Sequence, residues 1–172
     1  PVHSDTLCNG QNIYMYYDKT PYLKGRIGEN SPEFNINTTA VVTVEYPRMA
    51  VGGIVALKNG GFFAAWNNAG PIRGRWFNDD GVPVGNDFLI VESLNMSTLA
   101  ADRCIAATHD GGVIMAYHIG TTVRPSYFVK FNKNETTADI AQTQIVSITT
   151  GYRPSCCVLK NGNYLLSARY QY

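Results

Sequence analysis

The side chains able to do chemistry are few and scattered. Three histidines, His3, His109 and His118, have no Ser or Cys nucleophile motif beside them. His109-Asp110 belongs to an Asp-Gly turn, and turn chemistry alone accounts for it. The carboxylates Asp79, Asp80 and Asp110 also fall in turns, and the others stand singly, so no recurring inward pair suits glycoside cleavage. Asp79-Asp80-Gly81 offers oxygens to calcium, but Asp-Gly in a hairpin needs no metal. Every Gly pair sits between apolar runs rather than before a helix, which excludes a phosphate-binding loop. The expectation is a chain with no catalytic residue, no metal and no cofactor, and hence not an enzyme.

Other residues point to covalent state and binding. Three Asn-x-Ser/Thr sequons, at Asn37, Asn95 and Asn134, are candidate glycosylation sites. Four cysteines, Cys8, Cys104, Cys156 and Cys157, are disulfide candidates. Cys156-Cys157 lacks the spacing of a zinc site and has no His near it in sequence. Tyr16, Trp66 and Tyr117 end three similar phrases, and such aromatics either stack on sugars or pack between repeated units.

Those phrases reveal the elements that hold these residues. LCNGQNIYMY, LKNGGFFAAW, THDGGVIMAY and LKNGNYLLSA carry Asn-Gly or Asp-Gly at 9–10, 59–60, 110–111 and 161–162, spaced by 50, 51 and 51 residues. A period near 50 marks one supersecondary unit used repeatedly. Asn-Gly and Asp-Gly between apolar runs tolerate the positive φ of a tight hairpin turn. Innermost strands are expected at 49–57, 103–108 and 155–159, each followed by a second apolar strand. PIRGRWF, VRPSYFVKF and PYLKGRI then open outer hairpins whose strands alternate polar and apolar residues. The segment PVHSDTLC is a poor inner strand, since His3, Ser4 and Asp5 stand where other copies are apolar. Helical periodicity is absent.

The expected fold is therefore all-β: a β-propeller-like array of about four four-stranded antiparallel blades, the last incomplete because it stops after its first hairpin. Residues 1–172 form one domain, with repeats at about 1–46, 47–97, 98–149 and 150–172. Two strands of each blade are expected to be buried and two progressively exposed. Cys104, Cys156 and Cys157 lie in innermost strands, which approach closely at a hub, so Cys104 is expected to bridge to Cys156 or Cys157. Cys8 is positioned to reach the other if the ring closes.

EFNINTT, YPRMAVGGIVALKNGGFFAAW and IRGRWFNDDGVPVGNDFLI together resemble the roughly fifty-residue repeats of large secreted and surface proteins of adhesin-like type. The likeness is close over 33–93, fair over 100–149 and partial at both ends. It implies a propeller-like fold and a structural or adhesive task outside the cell. The third copy departs from the pattern, with NKNETTAD where these repeats keep a glycine turn.

Composition excludes some partners. Lys plus Arg number 14 against 13 Asp plus Glu, which leaves no field for nucleic acid or an acidic membrane. No apolar run approaches the ~18 residues that span a bilayer. Pro1 reads as a mature terminus left by processing. The expectation is a secreted or cell-surface, non-enzymatic structural or adhesive protein. Its last half-blade exposes an edge that another subunit completes, giving a homo-oligomer or filament. The alternative is a lectin-like propeller that binds glycans.

Overall fold

The protein is seen in a computed structural model that describes residues 2–17, 22–38, 53–67, 71–92, 97–99, 104–119, 125–145 and 151–170. All regular structure among them is β, in four antiparallel sheets. Sheet A runs β1 (Val2–Thr6), β2 (Asn12–Tyr17), β3 (Leu23–Ile27) and β4 (Phe34–Asn35) in spatial order. Sheet B runs β5 (Gly53–Ala56), β6 (Phe62–Asn67), β7 (Ile72–Phe77) and β8 (Pro83–Val91). A short β9 (Ser97–Leu99) joins sheet C by pairing with its second strand. Sheet C otherwise runs β10 (Ile105–Ala107), β11 (Val113–Ile119), β12 (Ser126–Phe131) and β13 (Ile140–Gln144). Sheet D has two strands, β14 (Gly151–Val158) and β15 (Tyr164–Tyr170). Positions 49–52 and 103 of the expected innermost strands lie outside the described residues.

The four repeated phrases make one turn. Gly10, Gly60, Gly111 and Gly162 take φ of 84, 82, 88 and 86°. Their amides bond back to the carbonyls of Leu7, Leu57, Thr108 and Leu159. The preceding Asn or Asp does not share the positive φ, so the turn is the longer loop that ends on a left-handed glycine. The amide that follows is capped as well. Asn9, Asp110 and Asn161 supply the side-chain oxygen in sheets A, C and D. In sheet B, Gly61 N bonds instead to Asp79 Oδ1 at 2.8 Å, from the outer turn.

Burial corrects the expected gradient. The second strands β6 and β11 are buried nearly throughout, whereas the first strands β5 and β10 are only half-buried. β6 and β11 are each covered on both faces by neighbouring sheets. Val2–Thr6 of the weak-looking PVHSDTLC form a strand, pairing in unbroken register from Val2↔Tyr16 to Thr6↔Asn12. Asp5 is there for a reason: its Oδ2 accepts Ala56 N of sheet B at 2.7 Å.

Three apolar clusters form three seams. Ile13 and Met15 of sheet A meet Phe62, Ala64 and Trp66 of sheet B. Phe63 and Ala65 of sheet B meet Val113, Met115 and Tyr117 of sheet C. Ile114 and Ala116 of sheet C meet Cys156, Tyr164 and Leu166 of sheet D. Alternate residues of a strand point to opposite faces, so each second strand faces the preceding sheet with one set and the following sheet with the other. First strands of successive sheets also pack side by side, β1 on β5, β5 on β10 and β10 on β14.

The departure at NKNETT has a structural cause. Asn134 takes φ 62°, replacing the expected glycine. The turn docks on sheet B: Lys133 Nζ donates to Asn59 O at 2.8 Å and Gly60 O at 2.9 Å. Trp76 Nε1 donates to Glu135 O at 2.8 Å.

Candidate functional site

The residues singled out for chemistry do not converge. His109 is exposed in its turn, His118 is buried opposite Ser126 on β12, and His3 lies on β1. Asp110 instead joins a cluster around Lys130, whose side chain is 7% exposed. Lys130 Nζ lies 3.0 Å from Asp110 Oδ2, 2.6 Å from Asp139 Oδ2 and 3.0 Å from Asn132 Oδ1. The Thr108 hydroxyl donates to Asp110 Oδ1 and, with Lys130 and Gly112 N, holds that carboxyl at about 2 against the opposing effect of burial. Burial alone would lower the Lys130 pKa, but its two carboxylate partners raise it. An ammonium held so firmly is a poor nucleophile or base, and the cluster ties the inner turn of sheet C to its outer hairpin. Among the described residues no group of three or more His, Cys, Asp or Glu is placed to hold a metal ion.

The expected disulfides are absent. All four cysteines are thiols. Cys104 and Cys156 do meet where sheets C and D pack, with Cys156 Sγ donating to Cys104 O at 3.2 Å. Burial, with the charge of Cys104 adding to it, pushes the Cys156 thiol up to about 12. Cys157 is exposed, one residue on and therefore on the opposite face of β14. Cys8 Sγ contacts the carbonyls of Leu57 and Lys58, so it joins the A–B seam instead of reaching sheet D.

The sequons fare unequally. Asn37 is 1% exposed and its Oδ1 accepts Leu23 N at 2.7 Å, which leaves no room for a sugar on its amide. Asn134 is exposed in its turn, and Asn95 lies outside the described residues. Two of the three aromatics are interior. Trp66 and Tyr117 are both 0% exposed, inside successive seams, with Trp66 Nε1 and Tyr117 OH buried and without a hydrogen-bond partner among the described residues. Neither presents a ring to a ligand. Tyr16 is half-exposed, and its hydroxyl donates to Glu33.

A groove of about 460 Å³ lies between the β3–β4 connection and the β7–β8 turn, lined by Ile27, Phe34, Glu33, Asp79 and Asp80 among others. Glu33 is engaged by Arg26 and Asp79 by Gly61 N, so these two acids already serve the fold.

The surface that stands out is the far face of sheet D. Register pairs Cys157 with Leu165 and Ser155 with Ser167, which puts these four on one face. Leu165 is 56% exposed and Leu159, closing the hairpin, is 41% exposed. Leu165 occupies the place of Phe63 and Ile114 in the repeated phrase, and both of those are 0% exposed. Among the described residues β15 pairs with β14 alone, where β6 and β11 each have strands on both sides.

Reasoning from the sequence missed the network that closes the A–B seam. Asp87, with a side chain 2% exposed, takes Arg73 Nη2 at 2.7 Å and both Thr38 N and Thr38 Oγ1, at 2.7 and 2.6 Å. Burial alone would raise its pKa; Thr38, followed by Arg73, reverses this and holds it below the ordinary value. The signal was present, because Asp87 and Glu33 share the position before Phe in DFLIV and EFNIN. No family model matches the chain, and no curated protein matches it.

Proposed function

We propose that the chain is a non-enzymatic structural or adhesive module of an extracellular or cell-surface array. Its sheets act as blades of a propeller-like fold, and copies join at the two-stranded sheet D. One observation carries this reading: among the described residues, the far face of β15 is exposed at the positions that β6 and β11 bury completely. An edge with unpaired backbone groups and alternating apolar side chains is a template for another chain. Strand addition supplies main-chain hydrogen bonds, and the exposed leucines supply the apolar contact.

Extracellular placement rests on the likeness to secreted repeats and on the exposed sequon at Asn134. The carbohydrate reading keeps only Tyr16 of its three aromatics, since Trp66 and Tyr117 are buried, which favours the assembly reading.

Sedimentation velocity over a concentration series tests it. The chain should associate, and Leu165→Lys should weaken association roughly 10- to 100-fold, the worth of burying one leucine at about 1.5–3 kcal/mol. A chain that stays monomeric when concentrated, or a variant that assembles as well as wild type, would end the reading.

A further inference from the structure

Sheet A carries a face built to the same plan as the one sheet B uses for docking. On β2, Ile13 and Met15 are spent in the A–B seam, so Asn12, Tyr14 and Tyr16 point the other way. They occupy the places of Phe62, Ala64 and Trp66 in the repeated phrase, the set that sheet B turns toward sheet A. Register extends the match to the next strand. Lys24 and Arg26 pair with Tyr16 and Tyr14 as Arg73 and Arg75 pair with Trp66 and Ala64. Glu33 stands where sheet B has Asp87, and each carboxylate holds an arginine, Arg26 at 2.8 Å and Arg73 at 2.7 Å.

In sheet B this face is occupied. Asp87 Oδ2 accepts two bonds from Thr38, and Arg75 Nη1 donates to Ile36 O at 3.3 Å, so both groups reach the preceding sheet. Arg75 is 8% exposed as a result. In sheet A the same groups turn back on themselves. Arg26 Nη1 donates to Glu29 O in its own turn, and its Nε is buried without a partner among the described residues. Glu33 is bonded by Tyr16 and Arg26 of its own sheet and keeps a side chain 40% exposed.

We infer that this face of sheet A receives the far face of sheet D of a second copy, joining copies head to tail. Each seam inside the chain sets the far face of one sheet against the near face of the next. Leu165 and Ser167 are the far-face residues of sheet D, at the places held by Ile13 and Met15 in sheet A. No apolar cluster among the described residues joins sheets A and D, and Leu165 is open, so the two halves of this fourth seam stay apart within one molecule. A near face meeting a far face is a heterologous contact, which continues from copy to copy unless the rotation closes it. This rests on the assembly reading above and adds the second surface and the polarity.

The test uses two variants of the 172-residue chain, Leu165→Glu and Tyr14→Glu, each checked for wild-type circular dichroism, with Asn12→Glu in reserve if Tyr14→Glu misfolds. Each alone should self-associate at least tenfold more weakly than wild type in sedimentation velocity. Mixed in equal amounts they should form a one-to-one dimer that grows no further, because one variant keeps its near face and the other its far face. If Leu165→Glu abolishes association and Tyr14→Glu has no effect, sheet D pairs with itself, and the head-to-tail contact is overturned while assembly survives. A mixture that stays monomeric while wild type associates overturns it too. A wild-type chain that never associates overturns both this inference and the assembly reading.

Discussion

Replacing Tyr117 by Phe should stabilise this protein. Tyr117 is 0% exposed between sheets B and C, and its hydroxyl has no hydrogen-bond partner among the described residues. Burial, with the charge of Tyr127 adding to it, drives its pKa well above the ordinary tyrosine value. Water bonds that hydroxyl in the unfolded chain, and nothing replaces the bond on folding. A buried unsatisfied hydroxyl costs about 1–3 kcal/mol. Deleting it leaves a gap of one oxygen atom, whose lost contacts offset part of the gain, so the net is about 1 kcal/mol in favour of Phe. For a chain of this length that corresponds to a Tm higher by about 2–4 °C. Urea and thermal unfolding followed by circular dichroism measure it. Loss of more than about 0.5 kcal/mol in the Phe variant would refute the reasoning, because the hydroxyl must then have a partner whose loss is felt. The companion change Trp66→Ala should cost about 3–5 kcal/mol, as expected for emptying a sealed aromatic site.

Three further outcomes are expected. Gly61→Ala should cost more than Gly10→Ala: both have positive φ, worth about 1–2 kcal/mol, but at 61 the new Cβ overlaps the Phe77 carbonyl oxygen while at 10 it meets open space; chemical denaturation of both variants gives the order. The Asp110 carboxyl is depressed in the folded state to about 2, so its stabilisation is complete above the unfolded value near 4 and is lost as pH falls toward 2; Thr108→Val, removing the largest cause, should flatten that acid limb more than Lys130→Met does. A thiol reagent should modify Cys8 and Cys157 in the native protein, reach Cys104 and Cys156 only on unfolding, and count four thiols in denaturant; fewer than four would restore a disulfide.

The local code was legible and the covering of strands was not. Asn-Gly and Asp-Gly spacing located all four inner hairpins because positive φ at a fixed offset is a backbone demand that few residues meet. PIRGRWF likewise located β7, but the wet face expected from its alternation is missing, since Gly74, Arg75, Trp76 and Phe77 are all buried. Burial depends on what the neighbouring sheet presents, and a strand's own residues do not say that. GIVA on β5 looks as apolar as FFAAW on β6, yet it is only half-buried while β6 is buried throughout. PVHSDTLC misled for the same reason, since Asp5 is explained only by Ala56 N in another repeat. Asn37 has the sequence of a sequon and the position of a buried backbone cap. Of the two surfaces proposed for assembly, the sequence pointed to sheet D; the near face of sheet A became visible only once register set Arg26 and Glu33 beside their counterparts Arg75 and Asp87.

Hydrogen–deuterium exchange of the segment 164–170, at low and at high protein concentration, tests the assembly claim most directly. If copies join through the last sheet, the amides of β15 should exchange more slowly at high concentration, while those of β6 and β11, already enclosed by neighbours, should stay unchanged. Equal exchange of 164–170 at both concentrations, under conditions where larger species sediment, would contradict the account.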